Sequence, residues 1–201
     1  PKARELLLEK YGLAPVCYIV CVVGRLSPYK RFDFAIQCIA KLAHDYPESK
    51  PVLILVGDGP DRSRLEGIAE KVESTCKIIF AGQVNDTWPI LCGVDTLIHP
   101  SAGEGLSLAI LEAMAAARPV VVPSLPSVSQ TIEHGASGLI YRDGSLDDAK
   151  ELLYKLSSDK PLRVMLGVNA REKVIEQFQL DRAIEDFNVL VTPILFPYCQ
   201  R

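Results

Sequence analysis

Apolar positions along the chain fall into two regimes. Short runs with little polar interruption, "VCYIVCVVG" (16–24), "PVLILVG" (51–57), "KIIFAG" (77–82), "VDTLIHP" (94–100) and "RPVVVP" (118–123), are rich in β-branched residues. A strand wetted on one face alternates apolar and polar residues, whereas one covered on both faces does not, so these five read as parallel strands of a buried sheet. "SGLIY" (137–141) is a candidate sixth. Between them lie segments with helical spacing. "KRFDFAIQCIAKLAHDY" (30–46) carries Phe34, Ile36, Ile39, Ala40, Leu42 and Ala43 as one broad stripe. "PDRSRLEGIAEKVE" (60–73) places Pro60 at the first helical position, where a missing N–H costs nothing. "GLSLAILEAMAAA" (105–117) is apolar nearly all round and is expected to be buried. The alternation predicts an α/β fold, a doubly wound parallel sheet with helices on both faces.

The ends differ from this pattern. "PKARELLLEKYGL" (1–13) predicts an amphipathic helix ahead of the first strand. From Leu146 onward the chain reads as helical, through "LDDAKELLYKLSSD", "PLRVMLGVNAREKVIEQF" and "LDRAIEDFNVLV", before an apolar, proline-broken tail at 192–201. With 201 residues, 48% of them hydrophobic and 23% charged, the chain can bury one substantial core, and a single domain is expected. The net charge of −3 argues against a nucleic-acid partner. Cys17, Cys21, Cys38, Cys76, Cys92 and Cys199 show no C-x-x-C pairing and no histidine at metal-ligand spacing. They imply a reducing compartment and no structural zinc. No apolar run approaches the roughly 18–20 residues that span a bilayer. No signal peptide is visible, and Pro1 in place of an initiator Met reads as a fragment or a processed product.

Ligands of doubly wound sheets bind outside the carboxyl ends of the strands, so the loops after Gly24, Gly57, Gly82, Pro100 and Pro123 are where chemistry is expected. In "GRLSPYKRFD", Arg25 and Lys30 follow the first strand, a fork of donors and a point charge that suit a diphosphate or, equally, a solvated loop. "VGDGPDR" holds a G-x-G without the third glycine of a dinucleotide fingerprint, and also suits a tight turn in which Asp58 or Gly59 starts the next helix. In "HPSAGEGLSLAILEAMAAARPVVVP", Gly103 and Gly105 allow close backbone approach, and the N–H groups of Leu106, Ser107, Leu108 and Ala109 would form an anion site at a helix start. Glu112 interrupts an apolar helix; its carboxylate needs donors, and ribose hydroxyls or a structural pair with Arg118 or Lys30 would supply them. Glu104 caps the helix or belongs to the same ligand site. His99 ends a strand and reads as a packed residue rather than a catalyst; His44 and His134 have no partner motif. No Ser/His/Asp, G-x-S-x-G or Cys/His signature is present.

Taken together and in order, these segments resemble the carboxy-terminal, donor-binding domain of retaining glycosyltransferases of the GT-B fold, family 4 type. "VGRLSPYKRFDFAI" is similar to the family's G-R-L-x-x-x-K segment, "LILVGDGPDRSRLE" to its strand–GxGP–helix unit, and the block from "IIFAGQV" to "ARPVV" to its centre, with the Glu-x7-Glu motif at Glu104 and Glu112. "TIEHGASGLIY" matches its closing turn and strand. The resemblance covers about 13–187 and implies a Rossmann-like half of a GT-B fold: 1–14 an interdomain helix or linker, 15–160 the core, 161–201 C-terminal helices and tail. It implies transfer of a hexosyl group from an NDP-sugar, UDP- or GDP-linked, to a glycan, lipid or other acceptor, with no cofactor and no metal. Arg25, Lys30 and Glu104 would be catalytic: the two cations hold the diphosphate, and Glu104 hydrogen-bonds the donor sugar. Gly24, Gln83, Val84, Gly105, Ser107, Leu108 and Glu112 would bind the donor, Gln83 and Val84 bordering the base and Glu112 the ribose. The family's amino-terminal acceptor domain is missing as a partner, so the isolated chain is expected to bind donor weakly and transfer nothing. The apolar tail would dock on that domain, and the location would be cytoplasmic, with membrane association of the full-length enzyme left open. Four places depart from the family pattern: Arg31 and Ala117 stand where Gly is common, Leu106 replaces a frequent aromatic, and "PSVSQ" (126–130) replaces G-G-x-P-E. Two other readings compete: a non-catalytic nucleotide-binding or interaction module, and a GT-B epimerase or phosphorylase. A dehydrogenase is disfavoured by the incomplete G-x-G-x-x-G.

Overall fold

The computed structural model describes residues 2–103, 105–128 and 130–179. The "LDRAIEDFNVLV" helix, the apolar tail, Cys199 and Glu104 lie outside the described residues. Six parallel strands form one sheet: β1 (Tyr18–Val23), β2 (Pro51–Val56), β3 (Lys77–Gly82), β4 (Thr96–Ile98), β5 (Val120–Pro123) and β6 (Leu139–Tyr141), in spatial order β3-β2-β1-β4-β5-β6. The apolar runs thus become the strands they predict, the sixth included, but β3 is not covered on both faces as expected: it lies at the edge of the sheet and is only half-buried. The helices are α1 (Lys2–Tyr11), α2 (Phe32–Asp45), α3 (Arg62–Glu70), α4 (Trp88–Leu91), α5 (Leu108–Ala115), α6 (Leu146–Ser158) and α7 (Lys160–Gln177). Strand order reverses between β1 and β4, so a crevice opens there at the strands' carboxyl ends.

Successive strand residues point to opposite faces, which is why uninterrupted apolar runs fill two cores. On one face Val20, Val22, Leu53 and Leu55 pack with Phe32, Ile36, Ile39 and Leu42 of α2 and Leu153 and Leu156 of α6. On the other, Ile19, Cys21, Ile54 and Val122 pack with Leu7 of α1, Leu91 of α4 and Ile110, Ala113 and Met114 of α5. The buried hydroxyl of Tyr18 donates to Thr96 Oγ1 at 2.8 Å, which satisfies the one polar group of β1, and burial holds its pKa far above the usual phenol range. At the amino-terminal ends of the central strands, away from the crevice, Asp95 Oδ2 accepts from Ile19 N and Arg4 Nη1, both at 2.8 Å, and Arg4 Nη2 donates to the Cys17 carbonyl. That pairing fastens α1 beneath β1 and β4. Lys150 of α6 reaches Asp45 of the neighbouring helix α2 at 2.6 Å, beside the first core.

Two expectations are corrected. Pro60 does not begin a helix: α3 starts at Arg62, because the backbone of Asp61 donates to the Leu26 carbonyl at 3.1 Å and belongs to a loop. The segment 105–117 is not buried throughout. Ile110, Ala113 and Met114 face the core, but Leu108 is 70% exposed and Leu106 57%, since only one side of α5 meets the sheet. Ala117 adopts φ 56°, so the position where Gly is common is indeed left-handed. Helix α7 crosses just there: a Cβ on Gly167 would stand 2.2 Å from the Ala117 carbonyl oxygen, so only glycine admits the contact.

Candidate functional site

The loops after β1, β2 and β3 meet backbone to backbone. Leu26 N donates to the Asp58 carbonyl (3.0 Å), Gly24 N to that of Val56 (3.0 Å) and Gly57 N to that of Gly82 (2.8 Å). This contact needs glycine: a Cβ on Gly57 would lie 1.9 Å from the Gly24 oxygen, and one on Gly59 2.3 Å from that of Leu26. The G-x-G therefore serves packing between loops, and the packing leaves a cleft of about 490 Å³ walled by Gly24, Arg25, Gly57, Asp58, Gly59 and Gln83. Arg25 is exposed on its wall. The Lys30 methylenes run past Gly24, 3.8 Å from where a Cβ would stand, and burial draws the ammonium pKa below its ordinary value. His99, at the end of β4, is 4% exposed; burial, and secondarily the charge of Lys30, push its ring down to about 4, so it is neutral near pH 7. Arg31, with φ 51°, turns its guanidinium to Asp143 at 2.5 Å and so leaves the cleft uncrowded.

Across the crevice, α5 starts at Leu108 with Ser107 ahead of it in extended conformation. The start lies later than expected, so Leu108, Ala109 and Ile110, rather than Leu106 and Ser107, carry the first helical N–H groups. The Ser107 side chain makes no capping bond and is buried. With His99, Ser101 and Gly105 it lines a narrow crevice of about 10 Å³. Ser101 Oγ is buried there without a hydrogen-bond partner among the described residues. The two sides of the site are tied together: Ala102 N donates to the Tyr29 carbonyl at 3.1 Å, and the Tyr29 hydroxyl stands 2.9 Å from the Cβ position of Gly103.

Glu112 projects from α5 toward α4, where Thr87 Oγ1 donates to its Oε2 at 2.8 Å. The structural pair with Arg118 does not form. That guanidinium bonds the carbonyls of Val94 (3.1 Å), Cys92 (3.2 Å) and Ala116 (3.2 Å) instead, closing the far end of α5. Gly24, Arg25 and Gln83 thus share one cleft with Lys30 beside it. Gly105 and Ser107 share the crevice at His99, while Val84 packs against the second core. Thr87 and Tyr29 join the site without having been singled out by sequence, and Asp58, read there only as a helix starter, lines the cleft. The G-x-G motif was the signal for Asp58; the contacts of Thr87 and Tyr29 join loops distant in the chain. Among the described residues no group of His, Cys, Asp or Glu is placed to hold a metal ion.

The family model for glycosyl transferases group 1 matches residues 4–173. Among relatives, N-acetyl-alpha-D-glucosaminyl L-malate synthase of Bacillus anthracis is 25% identical over 189 residues, covering 94% of this chain and 49% of that one. The lipopolysaccharide core biosynthesis glycosyltransferase LpsE of Rhizobium meliloti is 30% identical over 168 residues, 84% of this chain and 47% of its own. The chain therefore spans about half the length of these relatives. Among solved structures, Anabaena HepE in complex with UDP-glucose superposes with a TM-score of 0.86 at 22% identity, over 96% of this chain and 53% of that one. Matched by the family model over most of its length and sharing this architecture, the chain belongs to the group 1 glycosyl transferases, and its fold is that of the carboxy-terminal domain of a GT-B glycosyltransferase.

Proposed function

We propose that this chain is the donor half of a retaining glycosyltransferase, binding an NDP-sugar whose hexosyl group passes to an acceptor held by an amino-terminal domain. The observation that carries the reading is the cleft over the carboxyl ends of β1, β2 and β3, with Arg25 on its wall and Lys30 at its side. As the bond from sugar to diphosphate breaks, negative charge grows on the leaving phosphate. Arg25 and Lys30 meet that charge, and the free N–H groups at the start of α5 add the positive end of a helix dipole. Positive charge is thus supplied by the chain itself, and the reading invokes no metal. A partly desolvated Lys30 pulls harder on a phosphate oxygen than a fully hydrated one would. Gln83 and Val84 border the base through their backbone, Glu112 accepts from the ribose hydroxyls, and Glu104 accepts from the donor sugar. Neutral His99 adds no competing charge at the foot of the site.

UDP, GDP and ADP, each with its glucose, mannose and N-acetylglucosamine sugars, would be titrated calorimetrically into the chain and into its Glu112→Ala variant. We expect one base to bind and the variant to weaken it at least about tenfold, through loss of hydrogen bonds to a charged group. Wild-type chain that folds and binds none of the nine sugars or three diphosphates would count against the donor reading; so would an affinity indifferent to Glu112.

A further inference from the structure

Thr87 precedes Glu112 by 25 residues, yet its hydroxyl donates to one of the two carboxylate oxygens at 2.8 Å. We infer that Thr87 is a positioning residue for Glu112: it anchors Oε2, presents Oε1 to a ribose diol, and so sets how tightly a nucleoside diphosphate is gripped by its sugar. The inference rests on the donor reading above.

Its place is fixed from both sides. The Thr87 carbonyl accepts from Ile90 N (3.1 Å) and Leu91 N (3.0 Å), and Trp88 N donates to Asp86 Oδ1 (2.9 Å), so the residue is built into the first turn of α4. Ile90 and Leu91 are buried in the second core, which holds that turn against α5. Threonine is β-branched, and its χ1 is stiff, so a fixed backbone gives a fixed hydroxyl. Glu112, by contrast, is a half-buried glutamate with three rotatable bonds and, among the described residues, no cation paired with it. Without an anchor such a side chain must be ordered by the ligand, and that ordering is subtracted from affinity. A hydroxyl donor is well chosen for the task. It neutralises no charge, so the carboxylate stays a strong acceptor, and it occupies one oxygen while leaving the other.

A purely structural tie between α4 and α5 would predict the same contact, so the test reads the ribose itself. UDP, GDP and ADP, together with their 2′,3′-dideoxy forms, are titrated into the chain and into Thr87→Val and Thr87→Ser. Valine keeps the shape and removes the donor; serine keeps the donor. For the diphosphate that binds, Thr87→Val should weaken the ribose form by about five- to tenfold and change the dideoxy form by less than about twofold, with Thr87→Ser close to wild type. Comparing two ligands on one variant cancels any loss of folded protein. Equal losses for ribose and dideoxy forms, or no loss for the ribose form while Glu112→Ala still abolishes binding, would overturn the role of Thr87 alone. A wild-type chain that binds none of the three would overturn the donor reading and this inference together.

Discussion

Ala117 sits at φ 56°, a conformation that crowds the Cβ of any L-residue against its own backbone. The turn after α5 needs that conformation, because Ala117 N returns to the Met114 carbonyl and Arg118 N to that of Ala113. Ala117→Gly should therefore raise stability by about 0.5–1 kcal/mol, the relief of strain exceeding the greater freedom of glycine in the unfolded chain. Urea unfolding midpoints of the two proteins check it, and a lower midpoint for the glycine variant would contradict the account. Arg31 shares the strained conformation but offsets it with its ion pair to Asp143. A substitution with no local cost is thus found only at the first of these two sites.

At the scale of elements, the same substitution should act in opposite directions at two glycines. Gly67 lies inside α3 with nothing within 4 Å of a Cβ, so Gly67→Ala should stabilise by about 0.5–1 kcal/mol through helix propensity alone. Gly57→Ala would drive a methyl into the Gly24 carbonyl and part the β1 and β2 loops, at a cost of about 3 kcal/mol, and under the proposed donor role should abolish nucleotide binding. Thermal melting and titration of both variants separate these outcomes; a Gly57 variant as stable as wild type would mean the loops are not locked. The strands were legible in the sequence, because strands packed between two helical layers are written as nearly unbroken apolar runs, whereas the short α4 was not. The start of α3 was not. Pro60 carries the local signal for a first helical residue, but the bond from Asp61 to Leu26 spends that turn on another strand's loop.

For the whole molecule, buried His99 makes stability depend on pH in a definite direction. Its folded pKa, near 4, lies below the ordinary 6.5, so the unfolded chain binds the extra proton between those values. The contribution is complete above about pH 6.5 and is lost as pH falls through 4, on the order of 3 kcal/mol in all. Asp45 and Asp148, held at about 2 chiefly by hydrogen bonds from Lys150 and Arg142, lose theirs only below the ordinary carboxylate value of 3.8. Unfolding free energies measured from pH 7 to 4 should fall in wild type and flatten in His99→Gln; parallel curves would remove His99 from the account. The site was less legible than the sheet for a reason of the same scale. Arg25, Lys30 and Glu112 stand in motifs, but the contacts around them, Thr87 to Glu112 and Tyr29 to Ala102, join residues that only the closed fold makes neighbours. The turn Pro28–Lys30 shows what this means for anyone recombining such proteins. It is moored to the β4–α5 loop through Tyr29 and to the β6–α6 loop through Arg31 and Asp143. Grafting it alone into a homologous scaffold would cut both moorings and set Lys30 adrift, so the three loops have to travel between proteins as one unit.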